Sequence, residues 1–453
     1  MNLEKFFKLK EHGTTVGTEI NAGITTFMTM GYIFIINPQI LSSAGMDPTA
    51  VFFATVISGV IATLAMAFMA NYPFALAAGM GLNAFFAFSV ASVYGWEVAL
   101  LAVFIEGIIF ILLSFLNVRE AIFDAIPSTL KHSVTVGLGL FIAFIGLTQS
   151  GIVVPNPDTT LALGDFSSIT VLLTIIGVMV TLFLLLKEVK GAILVGIVTT
   201  YVLGIICQMT GLYVPNPEIG MYSLYPTNSA GQFAIAEIPK YVGGYNLFAA
   251  LKSGAFTSIS ILDLLPILFT LLFVDIFDTI GTLIGVSTKA GLLDKDGKLP
   301  RVKPALLADA IGTTVGGVLG TSTVTTYVES SAGVAAGGRT GLTSVVVAIC
   351  MALTLFFIPL VGAIPSFATA PALIVVGIFM FDAIRSIKFD HLEETIPAFV
   401  TIVMMPLTYN VSTGLAFGFI SYVLVKLAVG KKKEVHPLMY IIATIFLIDI
   451  FLK

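Results

Sequence analysis

Five carboxylates lie inside stretches that otherwise avoid charge: Asp275 and Asp278 in LLFVDIFDTIG, Glu329 in TSTVTTYVESSAG, Glu106 in VFIEGIIF and Asp309 in LLADAIGTT. An ionised side chain in hydrocarbon costs about 3 kcal/mol on insertion scales, so such residues usually line a polar cavity or the path of a polar solute. Asp275 and Asp278 are three apart and share a face of a helix. Two like charges so close in a low dielectric do not both ionise readily, so one of the pair is expected to hold a proton. A helix-packing role, bonded to hydroxyl or backbone donors, is the plainer alternative. The pattern points to a carrier. The four histidines, His12, His132, His391 and His436, fall at segment ends or in loops, which leaves no histidine-based metal or nucleophile site in the apolar interior. The stretch from Gly291 to Lys298 is the nearest approach to a phosphate-binding loop, but its spacing is wrong and no Ser or Thr follows the Lys. No cofactor is expected, and the driving energy is then an ion or solute gradient.

The elements that must position these acids are membrane-spanning helices. The chain has 453 residues, 57% hydrophobic and 11% charged, where a soluble chain carries about a quarter charged. Its mean hydropathy is +1.03. Apolar runs of spanning length recur near 19–36, 50–70, 82–94, 98–116, 133–150, 168–186 and 192–210. A second set lies near 264–286, 304–320, 328–337, 341–361, 371–384, 395–409 and 412–429, with a further apolar stretch at 436–452. The reading is an all-α polytopic membrane protein of about fourteen segments. The lead-in MNLEKFFKLKEHGTTVGTE lacks the apolar core of a signal peptide. Cys207 and Cys350 sit in apolar segments as small buried hydrophobes. Lys and Arg fall on one side of the alternating loops: Lys5, Lys8, Lys10, Arg119, Lys131, Lys187, Lys190, Lys289, Lys295, Lys298, Arg301, Lys303, Arg339, Arg385, Lys388 and Lys431 to Lys433, against only Lys240 and Lys252 on the other. That bias places both tails in the cytoplasm, at the cell membrane.

Seven segments per half make the halves inverted repeats, with a solute site at broken helices near the midplane. KGAILVGIVTTYVLGII in the first half matches STGLAFGFISYVLVKLA in the second. The third and tenth segments are too short to span. Each follows a non-helical lead-in, NYPFALAAGMG before Asn83 and GTSTVTTYV before Glu329. The lead-ins read as short strands that pair with each other, because unpaired backbone is not tolerated in a membrane. This would set Asn83 and Glu329 at equivalent positions beside two half-helix N-termini. There Glu329 could remain ionised and accept from a neutral, donor-rich ligand; capping its own helix is the alternative. Asn83 offers a donor and an acceptor, or holds the break. Phe85, Phe86 and Tyr327 flank the breaks and could stack on a planar ligand. Glu106 and Asp309 read as structural or proton-linked. AAGGRTGL, 335–342, reads as a tight turn, with a gating Arg339 as the alternative.

At VDIFDTIGT and TSTVTTYVESSAGVAAGGRTGLT the chain resembles the AzgA-like nucleobase permeases, relatives of the uracil and xanthine permeases. TTFMTMGYIFIINP, ALAAGMGLNAFFAF and FIEGIIFILLSFLNVREAIFDAIP extend the resemblance, which covers about residues 13–429. It implies fourteen spans in a seven-plus-seven inverted fold. A core domain (1–118 and 263–361) would hold the substrate and move, elevator-like, against a gate domain (119–262 and 362–429), followed by a tail at 430–453. It also implies proton-coupled uptake of purine bases. By motif match Asp275 and Glu329 would bind the N–H donors of the ring, supported by Asn83 and Asp278. The partners implied are a purine base, protons and the bilayer, with no nucleic acid and a homodimer left open. An ionised Glu suits the guanine or hypoxanthine edge better than that of adenine.

Overall fold

The computed structural model describes residues 3–116, 125–216, 221–225, 244–254, 257, 259–294, 299–357 and 364–452. Arg119, Lys240, Lys295 and Lys298, which bear on the orientation of the chain, lie outside them, as do residues 117–124 of the motif FIEGIIFILLSFLNVREAIFDAIP.

The first half holds α1 (Val16–Met30), α2 (Ile33–Ser42), α3 (Pro48–Ala65), strand β1 (Leu76–Ala78), α4 (Met80–Ala84), α5 (Trp96–Leu116) and α6 (Ser128–Gln149). A hairpin of β2 (Val153–Asn156) and β3 (Thr160–Leu163) leads to α7 (Ile169–Leu186) and α8 (Ala192–Met209). The second half holds α9 (Ile261–Ala290), α10 (Val302–Leu319), β4 (Val324–Thr326), α11 (Ser330–Ala335), α12 (Gly341–Thr354), α13 (Ser366–Phe381), α14 (Leu392–Thr408) and α15 (Val411–Ala428), then α16 (Pro437–Leu452). Among the described residues, ten helical stretches are long and apolar enough to cross a membrane, and 80–94, 341–357 and 437–451 are shorter apolar helices.

Local signals set the helix ends. Asp47 accepts from the N–H groups of Thr49 and Ala50, both at 2.9 Å, with Pro48 opening α3. Ser260 caps α9 and Asn410 caps α15 in the same way. At the other end of α9 Gly291 takes the left-handed conformation, φ 65°, that glycine adopts without a Cβ clash. α6 and α13 approach closely where Gly139 faces Gly377: a Cβ on Gly377 would lie 2.5 Å from the Gly139 carbonyl oxygen.

β1 and β4 form a two-stranded antiparallel ribbon, with Leu76 opposite Thr326 and Ala78 opposite Val324. All six residues are buried, so each outer edge needs a partner. Threonines on the flanking helices supply it. Thr63 Oγ1 on α3 accepts from Leu76 N at 3.0 Å and donates to Leu76 O at 3.2 Å. Thr313 Oγ1 on α10 treats Val324 the same way, at 3.3 and 3.0 Å. The ribbon is thereby a sealed unit between two helices.

A further buried acid, Glu19, was not singled out from the sequence. It accepts from the N–H groups of Arg339 (2.9 Å), Thr340 (3.3 Å) and Thr343 (3.1 Å) and from Thr343 Oγ1 (2.6 Å). A carboxylate from α1 thus satisfies the open N-terminus of α12. Arg339 donates to the carbonyls of Val334 and Gly338, both at 2.7 Å, and Gly337 turns the chain at φ 101°. Arg339 is therefore tied into the turn. The tail helix α16 buries Met439, Ile442, Ala443 and Phe446, spaced as one helical face. Phe446 meets Phe269 of α9 and Phe419 of α15, ring centroids 5.3 and 6.1 Å apart.

Candidate functional site

The ribbon delivers its ends to a cavity of about 290 Å³, near the lower limit of the roughly 300–1,000 Å³ typical of small-molecule sites. Asp278 and Thr282 enter from α9, Thr325 and Thr326 from β4, Tyr32 from the break between α1 and α2, and Phe379 from α13. Glu329 and Tyr327 line it from the short segment that joins β4 to α11, and Gly79 to Gly81 from the opposite break.

Glu329 is half-buried. Its Oε1 accepts from the hydroxyl of Tyr32 at 2.5 Å, and its side chain makes no capping bond to α11. That helix has only six residues, so its dipole contributes little; the phenol is the group that orients the carboxylate. Asp278 is exposed to the cavity and accepts from Thr325 Oγ1 at 3.2 Å. The Tyr327 hydroxyl donates to Ala78 O and closes the ribbon. Thr326 Oγ1 is buried and has no hydrogen-bond partner among the described residues. Among the described residues, no Lys or Arg lines this cavity.

Against this geometry the family comparison is decisive: the chain matches the model Xan_ur_permease, "Permease family", over residues 17–417. The chain belongs to this permease family. The guanine/hypoxanthine permease PbuO of Bacillus subtilis is 44% identical over 98% of this chain and 100% of its own length. The adenine permease AdeP of Escherichia coli is 42% identical over 99% of this chain and 96% of its own. Among solved structures, the transmembrane domain of the cyanobacterial bicarbonate transporter BicA superposes with a TM-score of 0.59 at 14% identity, over 88% of this chain and 97% of that one. That likeness is one of fold. The permease is a mostly helical, multi-pass membrane protein and not an enzyme.

The permease brings Asp278, Glu329 and Tyr327 together and places the other expected residues elsewhere. Asp275 is fully buried behind the cavity, where Thr279 Oγ1 lies 3.1 Å from its Oδ1 and 2.7 Å from Oδ1 of Asp309. Three residues turn a helix through about 300°, so the two aspartates stand some 60° apart; α9 turns Asp278 to the cavity and Asp275 toward α10. Asn83 is not the counterpart of Glu329. It lies within α4, whose N-cap is Gly79, while Glu329 is itself the N-cap of α11. It accepts from Ser322 Oγ and donates to Ala78 O at 3.5 Å, which holds the break. Phe85 and Phe86 sit in a π-helical stretch, 1% exposed each and absent from the cavity lining. Glu106 on α5 accepts from Thr323 Oγ1 at 2.6 Å, at the entry to β4. Sequence reasoning passed over Tyr32, Thr325 and Thr326. The Gly31–Tyr32 step within MGYIFIINP and the unbroken hydroxyls of TSTVTTY were the available signals.

Proposed function

We propose that this permease takes up purine bases together with protons, favouring guanine and hypoxanthine over adenine, across the plasma membrane with both tails cytoplasmic. The observation that carries the reading is the pair Asp278 and Glu329 on one small cavity that is lined by aromatic rings and, among the described residues, by no basic side chain. Guanine and hypoxanthine are flat, neutral and carry N–H donors on both rings. A carboxylate at each edge accepts them through charge-assisted bonds, roughly twice as strong as neutral ones. Tyr32, Tyr327 and Phe379 offer ring faces. In this assignment Asp278, rather than Asp275, contacts the base.

The transport cycle we infer moves a core group of segments against a gate group. The ten long stretches, with 80–94, α11, 341–357 and α14, make fourteen segments. The matching roles of Thr63 and Thr313 on the two strands support a seven-plus-seven inverted repeat. α10 packs on α3 and α5, and α12 on α1 and α3, while α6 packs on α13 and α14. These pairings favour a core of segments 1–4 and 8–11 and a gate of 5–7 and 12–14. The cavity reaches Asp382, ion-paired with Arg385 at 3.0 Å on the basic side, which suits an inward-open state. On the far side Gln39 Nε2 donates to Ile364 O at 2.5 Å and Gln39 Oε1 accepts from Thr369, joining α2 to α13.

Adenine is the second reading, favoured by the comparable identity of AdeP. Anion exchange on this architecture is disfavoured by acids lining the cavity. Labelled guanine, hypoxanthine, adenine and uracil, supplied to cells lacking their own base carriers, separate the readings. Guanine and hypoxanthine uptake, each competed by the other and weakly by adenine, is expected. Uptake of adenine alone would reverse the substrate assignment, and no uptake of any purine would end it.

A further inference from the structure

The buried pair behind the cavity carries an inference that rests on the proton-symport reading and deepens it. Asp275 on α9 and Asp309 on α10 are both fully buried, and each points an Oδ1 at the same hydroxyl, that of Thr279. A threonine hydroxyl has one proton to give and lone pairs to accept with. It can satisfy one carboxylate as a donor. It satisfies the second fully only by accepting, and that requires the second group to be a carboxylic acid. Two ionised carboxylates on one hydroxyl in this interior would also repel each other strongly. The arrangement in which Thr279 makes both of these contacts as full hydrogen bonds is Asp–H···Thr279–H···Asp⁻, a single proton held by two acids.

We propose that Asp275, Thr279 and Asp309 form the site of the coupled proton, separate from the cavity acids that hold the base. Thr279 is a positioning residue that links the two acids across α9 and α10. The proton adds to one Oδ1 and leaves from it; no other bond changes. The surroundings fit a separate store. Asp278 lies next along α9 but accepts from Thr325, Glu329 accepts from Tyr32, and Glu106 on α5 accepts from Thr323. Lys131 of α6 faces α9 with its ammonium 5.5 Å from the ring centroid of Phe277. Binding a base at the cavity and a proton at the triad would occupy different side chains on the same helix, so α9 can couple the two events without either ligand displacing the other.

The test uses the full chain in liposomes, with labelled guanine read in two ways: exchange at equal pH, and uphill accumulation under an acid-outside gradient. Asp309→Asn mimics the protonated acid. It is expected to retain exchange within about twofold of wild type and to lose accumulation, with a rate flat in pH. Thr279→Val keeps the shape and removes the link. It should require outside pH lower by about one unit for half-maximal accumulation, the equivalent of losing one hydrogen bond of about 1.4 kcal/mol, and Thr279→Ser should restore the wild-type profile. Asp309→Asn that still accumulates guanine to the wild-type ratio, or Thr279→Val with an unmoved pH profile, would overturn the inference alone. Wild-type accumulation that ignores a protonophore would instead remove the symport reading, and this inference with it.

Discussion

Replacing Glu329 with glutamine is expected to weaken guanine binding at least tenfold while leaving the permease folded and in the membrane. Gln keeps the length of the side chain and an oxygen that can still accept from Tyr32. What it loses is the charge-assisted bond to the N–H donors of the base, about 1.5–3 kcal/mol, which is roughly 10- to 150-fold in affinity. The amide also reverses part of the hydrogen-bond code. Adenine presents an acceptor next to an amino donor, and a Gln amide matches that pair with its own donor and acceptor. Glu329→Gln should therefore lose guanine more than adenine, and the guanine-to-adenine affinity ratio should fall. Tyr32→Phe serves as the companion: it frees the carboxylate without discharging it, so its effect should be smaller and the base ratio should hold. Equilibrium binding to purified protein checks both. A Gln variant with wild-type guanine affinity would show that Glu329 does not touch the base.

Asp278 should behave as a binding residue and Asp275 should not. Asp278 faces the cavity and Thr325, whereas Asp275 faces Thr279 and Asp309. Asp278→Asn removes one charge-assisted acceptor and is expected to weaken guanine binding about tenfold. Asp275→Asn, one turn away, should leave binding within about twofold and act on accumulation. The paired comparison reads the rotation of α9 directly. Equal binding losses in both variants would mean that the helix presents both acids to the base.

Much of this site was legible because buried charge is costly and therefore rare. Asp275, Asp278, Glu106, Asp309 and Glu329 stand out from an apolar chain on that ground alone, and Asp278 and Glu329 do line the cavity. The breaks were visible too: NYPFALAA and TSTVTTY cannot continue a spanning helix, and it is there that the paired strands lie. Direction was the part the spacing could not supply. Residues three apart share a broad face, yet a rotation of about 60° separates cavity from interior. Nothing local says which aspartate turns which way until Asp309 and Thr325, from other segments, are in place.

Glu19 was missed for a different reason. An acid in the first turn of a helix, just after a charged lead-in, reads as a solvated end, and its partners lie more than 300 residues away at the start of α12. Asn83, Phe85 and Phe86 do not line the cavity, because proximity to a break in sequence does not fix which side of the break a side chain takes. Asn83 turns to Ser322 and the ribbon, and Phe85 and Phe86 turn into the core. The tenth segment proved too short for a strong dipole. The anion-orienting role passed to the Tyr32 hydroxyl, which composition alone could not assign.

The most direct test of the account is uptake of labelled guanine into liposomes that contain only the purified permease, with acid outside, sodium absent and no other solute gradient. The permease should concentrate guanine inside, lose that accumulation when a protonophore is added, and show competition by unlabelled hypoxanthine. Accumulation that requires sodium and survives the protonophore, or liposomes that take up no purine base under the acid gradient, would contradict it.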